Sequence, residues 1–336
     1  MPILSPPKIP WNGDDGTIWA ALSPDEMFTK HEGDLAGVQY AALAVLHHFG
    51  FKAYPVLLST RDHGAVITEF PLMDQFNYVV IILNIDDKWK LVDFSNPLFP
   101  VGIINERALN KEGFVLNEEN PGWIDIVAPS FQDLLAYNGS ITADGTIVAD
   151  MKSVKNGYSA YYDRSKLKDQ TPEKLWAERF PDNTVFTDMA VEFKDEKNNA
   201  LKVSSHVEIP EAGMVNGDFI YFTPIQYSLF TKNPFQREKR NYPIDFPYPF
   251  EEKNVVSYAL PEGYTVESIP EALNLSFKEG GVTLQFIAQE KNGKVNTLMT
   301  LKVQQTRFSP DDYPALRDMF EQIAQKLQEQ VVLKKA

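Results

Sequence analysis

Cysteine is absent from this chain and histidine is scarce, with 0 and 5 among 336 residues. The missing thiol excludes disulfides, thiolate metal sites and a cysteine nucleophile. Long apolar runs are missing too. The longest strong ones are six-residue stretches such as YVVIIL, Tyr78 to Leu83, far short of the roughly 20 residues a membrane-spanning helix needs, so no transmembrane segment is expected. Positive charge is in deficit, with 32 Lys and Arg against 46 Asp and Glu and a net charge of −14. Such a surface repels polyphosphate, and the one dense basic patch is Arg237, Lys239, Arg240, so nucleic acid is not an expected partner. Walker loops, dinucleotide fingerprints and Gly-x-Ser-x-Gly elbows are also missing. The opening MPILSPPKIPWNG has neither a charged n-region nor an apolar h-region, so either the chain is cytoplasmic or an export signal lies upstream; the expectation is the latter.

What is present is an ordinary globular composition, 43 % hydrophobic and 23 % charged, long enough for two domains with separate cores. Ser23-Pro24-Asp25-Glu26 reads as a capping box that opens a helix over about 24–30. Leu35, Val38, Ala42, Val45 and Phe49 recur at steps of three and four and predict a buried central helix ended by Gly50. KAYPVLLST, FNYVVIILNI and KWKLVDF follow as strands, with Asp86-Asp87 as a hairpin turn between the last two. Asn120-Pro121-Gly122 marks a break, giving domains over 1–120 and 121–336. The second domain is expected to be a β-sandwich, with hairpins at Ala143-Asp144-Gly145 and Asn292-Gly293, a short helix near 171–179 capped by Thr171, and a C-terminal helix over 310–331. The fold class is therefore α+β.

Several words of the sequence are longer than any short motif: Gly33-Asp34 before the central helix, PVLLSTRDHG (55–64), QFNYVV (75–80), LVDFSNP (91–97) and INERALN (104–110), then GYSAYYDR, NPFQREKRNYPIDFPYPF and PEGYTVESIP. Together they resemble the bacterial transglutaminase-like family, in which a papain-like module of one central helix on an antiparallel sheet precedes a β-rich domain in large envelope proteins. The resemblance implies a periplasmic or extracytoplasmic location. By position, the family's nucleophile falls on Leu35, its histidine on Tyr78 and its acidic partner on Asp93. Leucine has no lone pair with which to attack a carbonyl, and a phenol of pKa about 10 is a poor base near neutrality. Loss of a nucleophile or its base typically removes on the order of 10⁶ in turnover. The resemblance thus implies a catalytically silent branch. Leu35 continues the stripe of Val38, Ala42 and Val45 and is expected in the core, and Asp93 is expected to hydrogen-bond Tyr78 across adjacent strands.

Other polar residues have plainer readings. Asp34, Arg61, Asp62, His63 and Asn77 are candidates to line a ligand cleft, although Arg61-Asp62-His63-Gly64 also makes sense as a loop tied by an Arg–Asp contact. His47 and His48 point about 100° apart on a helix and cannot chelate one metal from one face; they suit a helix C-terminus. His31 and His206 have no ligand-spaced neighbour, so neither metal nor cofactor is expected. WNGDDG (11–16) lacks the spacing of a calcium loop and reads as a turn. The aromatic stretch 219–250 could stack on sugars or a proline-rich peptide, but is expected to cover the sandwich or fill the joint between domains.

The expected function is a non-catalytic module that binds a peptide, glycan or envelope protein. Two alternatives stand beside it: a hydrolase that uses Asp34, His63 or Asp93 in the same cleft, and a scaffold segment of a longer chain.

Overall fold

The computed structural model describes residues 17–336, so the WNGDDG turn lies outside the described residues. The chain is α+β and strand-rich. It divides into two compact units, the first ending at Pro129 and the second running from Ser130 to Ala336.

In the first unit, helices α1 (Pro24–Lys30) and α2 (Leu35–His48) precede strands β1 (Ala53–Leu58), β2 (Tyr78–Ile85), β3 (Lys88–Val92), β4 (Lys111–Val115) and β5 (Gly122–Ile126). The Ser23 side chain and Glu26 form the expected capping box on α1. The sheet order is β3-β2-β1-β4-β5 and every pairing is antiparallel. Asp86 and Asp87 both have positive φ, 51° and 59°, which is the type I′ geometry that lets a two-residue turn match strand twist. Two expectations need correction. The division falls after Pro129, not at 120, because Gly122–Ile126 pairs with Lys111–Val115 and completes the first sheet. Helix α2 is buried through its first two turns, at Leu35, Ala36, Gly37, Gln39 and Ala41, while Val45 and Phe49 are exposed. Leu35 belongs to that buried half; farther along, the helix packs through Ala42, Leu43 and Leu46, half-buried against Ala53, Ile81, Leu83 and Val92, rather than through Val45 and Phe49.

The second unit begins with β6 (Phe131–Ile141), β7 (Ile147–Lys155), α3 (Gly157–Lys166), α4 (Pro172–Ala177), β8 (Val185–Glu192) and β9 (Leu201–Ile209). Short strands β10 (Gly213–Asn216), β11 (Phe219–Phe222) and β12 (Ile244–Asp245) lead to β13 (Phe250–Ala259), β14 (Tyr264–Ser268), β15 (Leu273–Phe277), β16 (Val282–Lys291) and β17 (Lys294–Val303). The chain ends with β18 (Arg307–Phe308), α5 (Tyr313–Gln328) and β19 (Val331–Lys335). Residues 329–331 are therefore outside the C-terminal helix, which is followed by a strand rather than closing the chain.

One eight-stranded sheet dominates, in the order β15-β16-β17-β13-β6-β7-β9-β8, with β13 and β6 parallel and its other pairs antiparallel. Alternation places Val295, Met299, Leu301 and Val303 of β17 on one face, as period-two geometry requires. That face shares a single core with Ile220 and Phe222 of β11, Val331 and Leu333 of β19, and Leu316, Phe320 and Ile323 of α5. The expected two-sheet sandwich is thus unequal: a four-stranded sheet, β10-β11-β19-β14, and helix α5 together cover the large sheet. The aromatic stretch 219–250 contributes Phe222, Phe235 and Ile244 to this core, and Phe235 meets both Tyr313 and Phe320 edge-on. Those rings are buried as packing, consistent with the area they remove from water, whereas Tyr242 in the same stretch is exposed.

Candidate functional site

The first unit brings Leu35, Tyr78 and Asp93 together. Leu35 is the first residue of α2, Tyr78 the first of β2, and Asp93 follows β3 directly. Leu35 and Tyr78 belong to one buried cluster with Val56, Val80 and Ile104. All three positions are nearly closed to solvent, with exposures of 5 %, 1 % and 2 %.

Asp93 is held by four donors. Gln39 Nε2 and the Ser95 amide donate to Oδ1 at 2.8 and 2.9 Å. Tyr78 Oη and the Asn105 amide donate to Oδ2, each at 2.9 Å. Tyr78 Oη also lies 3.2 Å from Ser95 Oγ. A buried carboxylate is tolerable only when its lone pairs are satisfied in this way. Burial pushes the Tyr78 hydroxyl well above its ordinary value, and the adjacent Asp93 charge pushes it further. Tyr78 therefore stays a proton donor near neutrality. Gln39, Ser95 and Asn105 were not singled out in the sequence; Gln39 had a signal, since four residues after Leu35 puts it on the same side of the helix.

The remaining candidates serve local structure. Asp34 caps α2, accepting from the Gly37 amide at 2.6 Å, while its other oxygen accepts from the Ala21 amide at 2.7 Å. Asn77 braces Thr60, accepting from its amide at 2.8 Å and donating to its hydroxyl at 2.9 Å. Asp62 pairs with Arg107 at 2.9 Å, so the Arg–Asp tie of this loop reaches across to another segment. Hydrogen bonds from Arg107 and then Thr60 hold its carboxyl down at about 2. Arg61 donates its amide to the Arg107 carbonyl at 2.7 Å, and His63 Nε2 lies 3.3 Å from the Asp74 carbonyl. Among the described residues, Asp34, His63 and Asp93 share no hydrogen bond. His47 Nε2 meets the Ala53 carbonyl at 2.8 Å beside the end of α2.

Comparisons with known proteins bear on both units. A family model described as "Domain of Unknown Function with solved-structure structure (DUF3858)" matches residues 218–333, within the second unit. A solved structure described as "crystal structure of a putative protease from Parabacteroides distasonis ATCC 8503" matches with a TM-score of 0.51 at 9 % identity, covering 93 % of this chain and 46 % of its own. This chain thus spans less than half the length of that protein, and the likeness is one of fold. No curated protein matches the sequence. No helix among the described residues is long and apolar enough to cross a membrane.

Proposed function

We propose that the first unit is a transglutaminase-like module that has given up catalysis and that the chain acts in binding or assembly at a bacterial cell envelope. The observation that carries this reading is the burial of Leu35 and Tyr78 in one apolar cluster, with Asp93 saturated by four donors. An acyl-transfer site requires a nucleophile at the helix start and a base that exchanges protons near neutral pH. Leu35 offers no lone pair and Tyr78 stays protonated, so the architecture of such a site is retained as a structural contact. Envelope location rests on the sequence words shared with the transglutaminase-like family. The fold likeness to a structure described as a protease is compatible with descent from an enzyme.

The test is direct. Purified protein incubated with a glutamine-containing peptide and a primary amine is expected to release no ammonia and to form no new amide, and incubation with the peptide alone is expected to yield no cleavage. Turnover of a peptide amide by the unmodified chain, read by mass spectrometry, overturns the proposal.

A further inference from the structure

Buried charge in the second unit is matched internally. In register across three adjacent strands, Glu252 of β13 sits opposite Asp133 of β6, which sits opposite Lys155 of β7. Asp163 of α3 and Arg179, just after α4, complete this polar row. Lys155 Nζ lies 3.2 Å from Asp163 Oδ2 and 3.7 Å from Asp133 Oδ2, and Arg179 forks onto both oxygens of Asp163.

The basic patch on the surface of the same unit is not matched. Arg237, Lys239 and Arg240 are exposed and line one cleft of about 550 Å³. Among the described residues none of the three forms an ion pair. Glu238 lies in the same stretch but is not a wall of the cleft and pairs with none of them. A single unpaired lysine is ordinary on a protein surface. Three unpaired cations around one cleft, in a chain of net charge −14, make a local positive field in an acidic surround.

The loop that carries them is fixed at both ends. Asn233 Nδ2 donates to the Arg317 carbonyl of α5 at 3.0 Å and to Glu321 Oε2 at 3.1 Å, while Asn233 Oδ1 accepts from the Phe235 amide at 2.9 Å. Arg317 Nε donates to the Phe235 carbonyl at 3.2 Å, and Tyr313 Oη donates to the Arg237 carbonyl at 2.6 Å. At the far end Ile244 and Asp245 pair with Phe308 and Arg307 of β18. Between these anchors residues 236–242 are all exposed, and Arg240 Nε donates to the Tyr242 carbonyl at 3.1 Å. An anchored backbone that presents its cationic heads to solvent lowers the ordering cost of binding.

The chemistry narrows the occupant. A cation is repelled. An apolar ligand would strip water from three charged heads and return nothing. A single negative charge gains little, because one exposed ion pair is worth little against solvent and salt. A long polyanion would run past the loop onto a surface whose balance is acidic, and the field of the patch is screened beyond about 8 Å at physiological salt. What fits is a compact anion with two or more charges, whose oxygens match the planar forks of Arg237 and Arg240. Pro234 and Tyr242 wall the same cleft and leave room for a small organic body. We propose that this cleft binds a compact, multiply charged oxyanion, a phosphate ester or a polycarboxylate, gripped by Arg237, Lys239 and Arg240. The site lies wholly within the second unit and stands independently of the reading of Leu35, Tyr78 and Asp93.

The test uses the full chain with phenyl phosphate and citrate as probes and acetate as the singly charged control. Titration calorimetry and NMR of the arginine Nε–H signals are expected to show at least one probe binding with a Kd of about 1 mM at low salt, weakening about ten-fold as salt rises to roughly 0.5 M. Arg237→Gln, Lys239→Gln and Arg240→Gln together remove charge from exposed heads without touching the backbone anchors, and are expected to weaken binding at least about twenty-fold with the melting temperature unchanged. Arg237→Lys alone keeps the charge but loses the fork, and is expected to weaken it about three-fold. Tighter binding of phenyl phosphate supports the proposal and assigns a phosphate ester; tighter binding of citrate supports it and assigns a polycarboxylate. The proposal is overturned by failure of both probes to bind, by binding that the triple variant leaves unchanged, by acetate binding as tightly as either probe, or by a single-stranded oligonucleotide binding through these cations while neither small anion does.

Discussion

Tyr78 donates its hydroxyl hydrogen to Asp93 across 2.9 Å, and strand register explains why these two side chains meet. Ile81 pairs with Val92; one further step sets Val80 opposite Asp93, and Tyr78 shares a sheet face with Val80. The pair is a diagonal neighbour across adjacent strands, within reach of a long side chain. Tyr78→Phe removes one of four donors while preserving volume. It is expected to destabilise the first unit by about 1–3 kcal/mol, the usual cost of depriving a buried charged acceptor of a partner, measured by denaturant unfolding. A change within error would mean that Asp93 does not depend on Tyr78.

Capping provides a second expectation. Asp34 satisfies the Gly37 amide within the first turn of α2 and also the Ala21 amide. Asp34→Ala should cost about 1–2 kcal/mol, the common range for loss of an N-cap carboxylate. Asp34→Asn, which keeps an acceptor for Gly37, should recover roughly half of that loss. Equal losses in the two variants would show that the second acceptor, or the charge, carries the whole effect.

Features set by adjacent residues were legible in the sequence: the Ser23 capping box, the Asp86-Asp87 and Asn292-Gly293 turns with φ positive at both central residues, and the burial of Leu35. The meeting of Tyr78 and Asp93 was available only through the family resemblance. Pairings between distant segments were not legible. Nothing local in Phe131–Ile141 or Phe250–Ala259 announces that they run parallel as neighbours, and a strand break at Asn120-Pro121-Gly122 looks the same whether it separates domains or turns within one. Val45 and Phe49 were misplaced because Leu43 and Leu46 fit an apolar periodicity as well, and in a helix apolar on more than one side the spacing alone does not say which side meets the sheet. The polar row left a signal that passed unused: Asp133 before Leu135, Lys155 and Ser153 after Met151, and Glu252 and Asn254 before Val256 each turn an inward face polar at one end of a strand. Lined up by register they mark one place, but register is not visible in any single strand.

Gly157 offers a contrast between two glycines. It opens α3 at φ +58°, and a Cβ there would lie 1.5 Å from Phe131 Cδ1, whereas Gly50 has φ +79° with open space around it. Gly50→Ala should therefore cost about 1 kcal/mol, from backbone strain alone. Gly157→Ala adds a ring that must move within a packed aromatic group, raising the expected loss to about 2–4 kcal/mol. Equal melting shifts in the two variants would show that Phe131 yields freely.

The Glu252 carboxyl gives the second unit a pH dependence of definite sign. Burial pushes it up to about 7 from an ordinary 4.5, opposed in part by hydrogen bonds from the Leu229 amide and the Ser228 and Asn254 side chains. Between those values the folded protein keeps a proton that the unfolded chain has released, so stability falls as pH rises across that window. Below about 4.5 the group is protonated in both states and contributes nothing. Above about 7 it is ionised in both, and the buried charge costs on the order of 3 kcal/mol. Glu252→Gln removes the charge while keeping an acceptor for Leu229. Denaturant unfolding at steps from pH 5 to 8 should therefore show wild type losing stability relative to this variant, with the gap widest at pH 8. A gap that stays constant, or that widens toward acid, would mean that Glu252 is already ionised in the folded protein at pH 5, and that the row formed with Asp133 and Lys155 stabilises its charge.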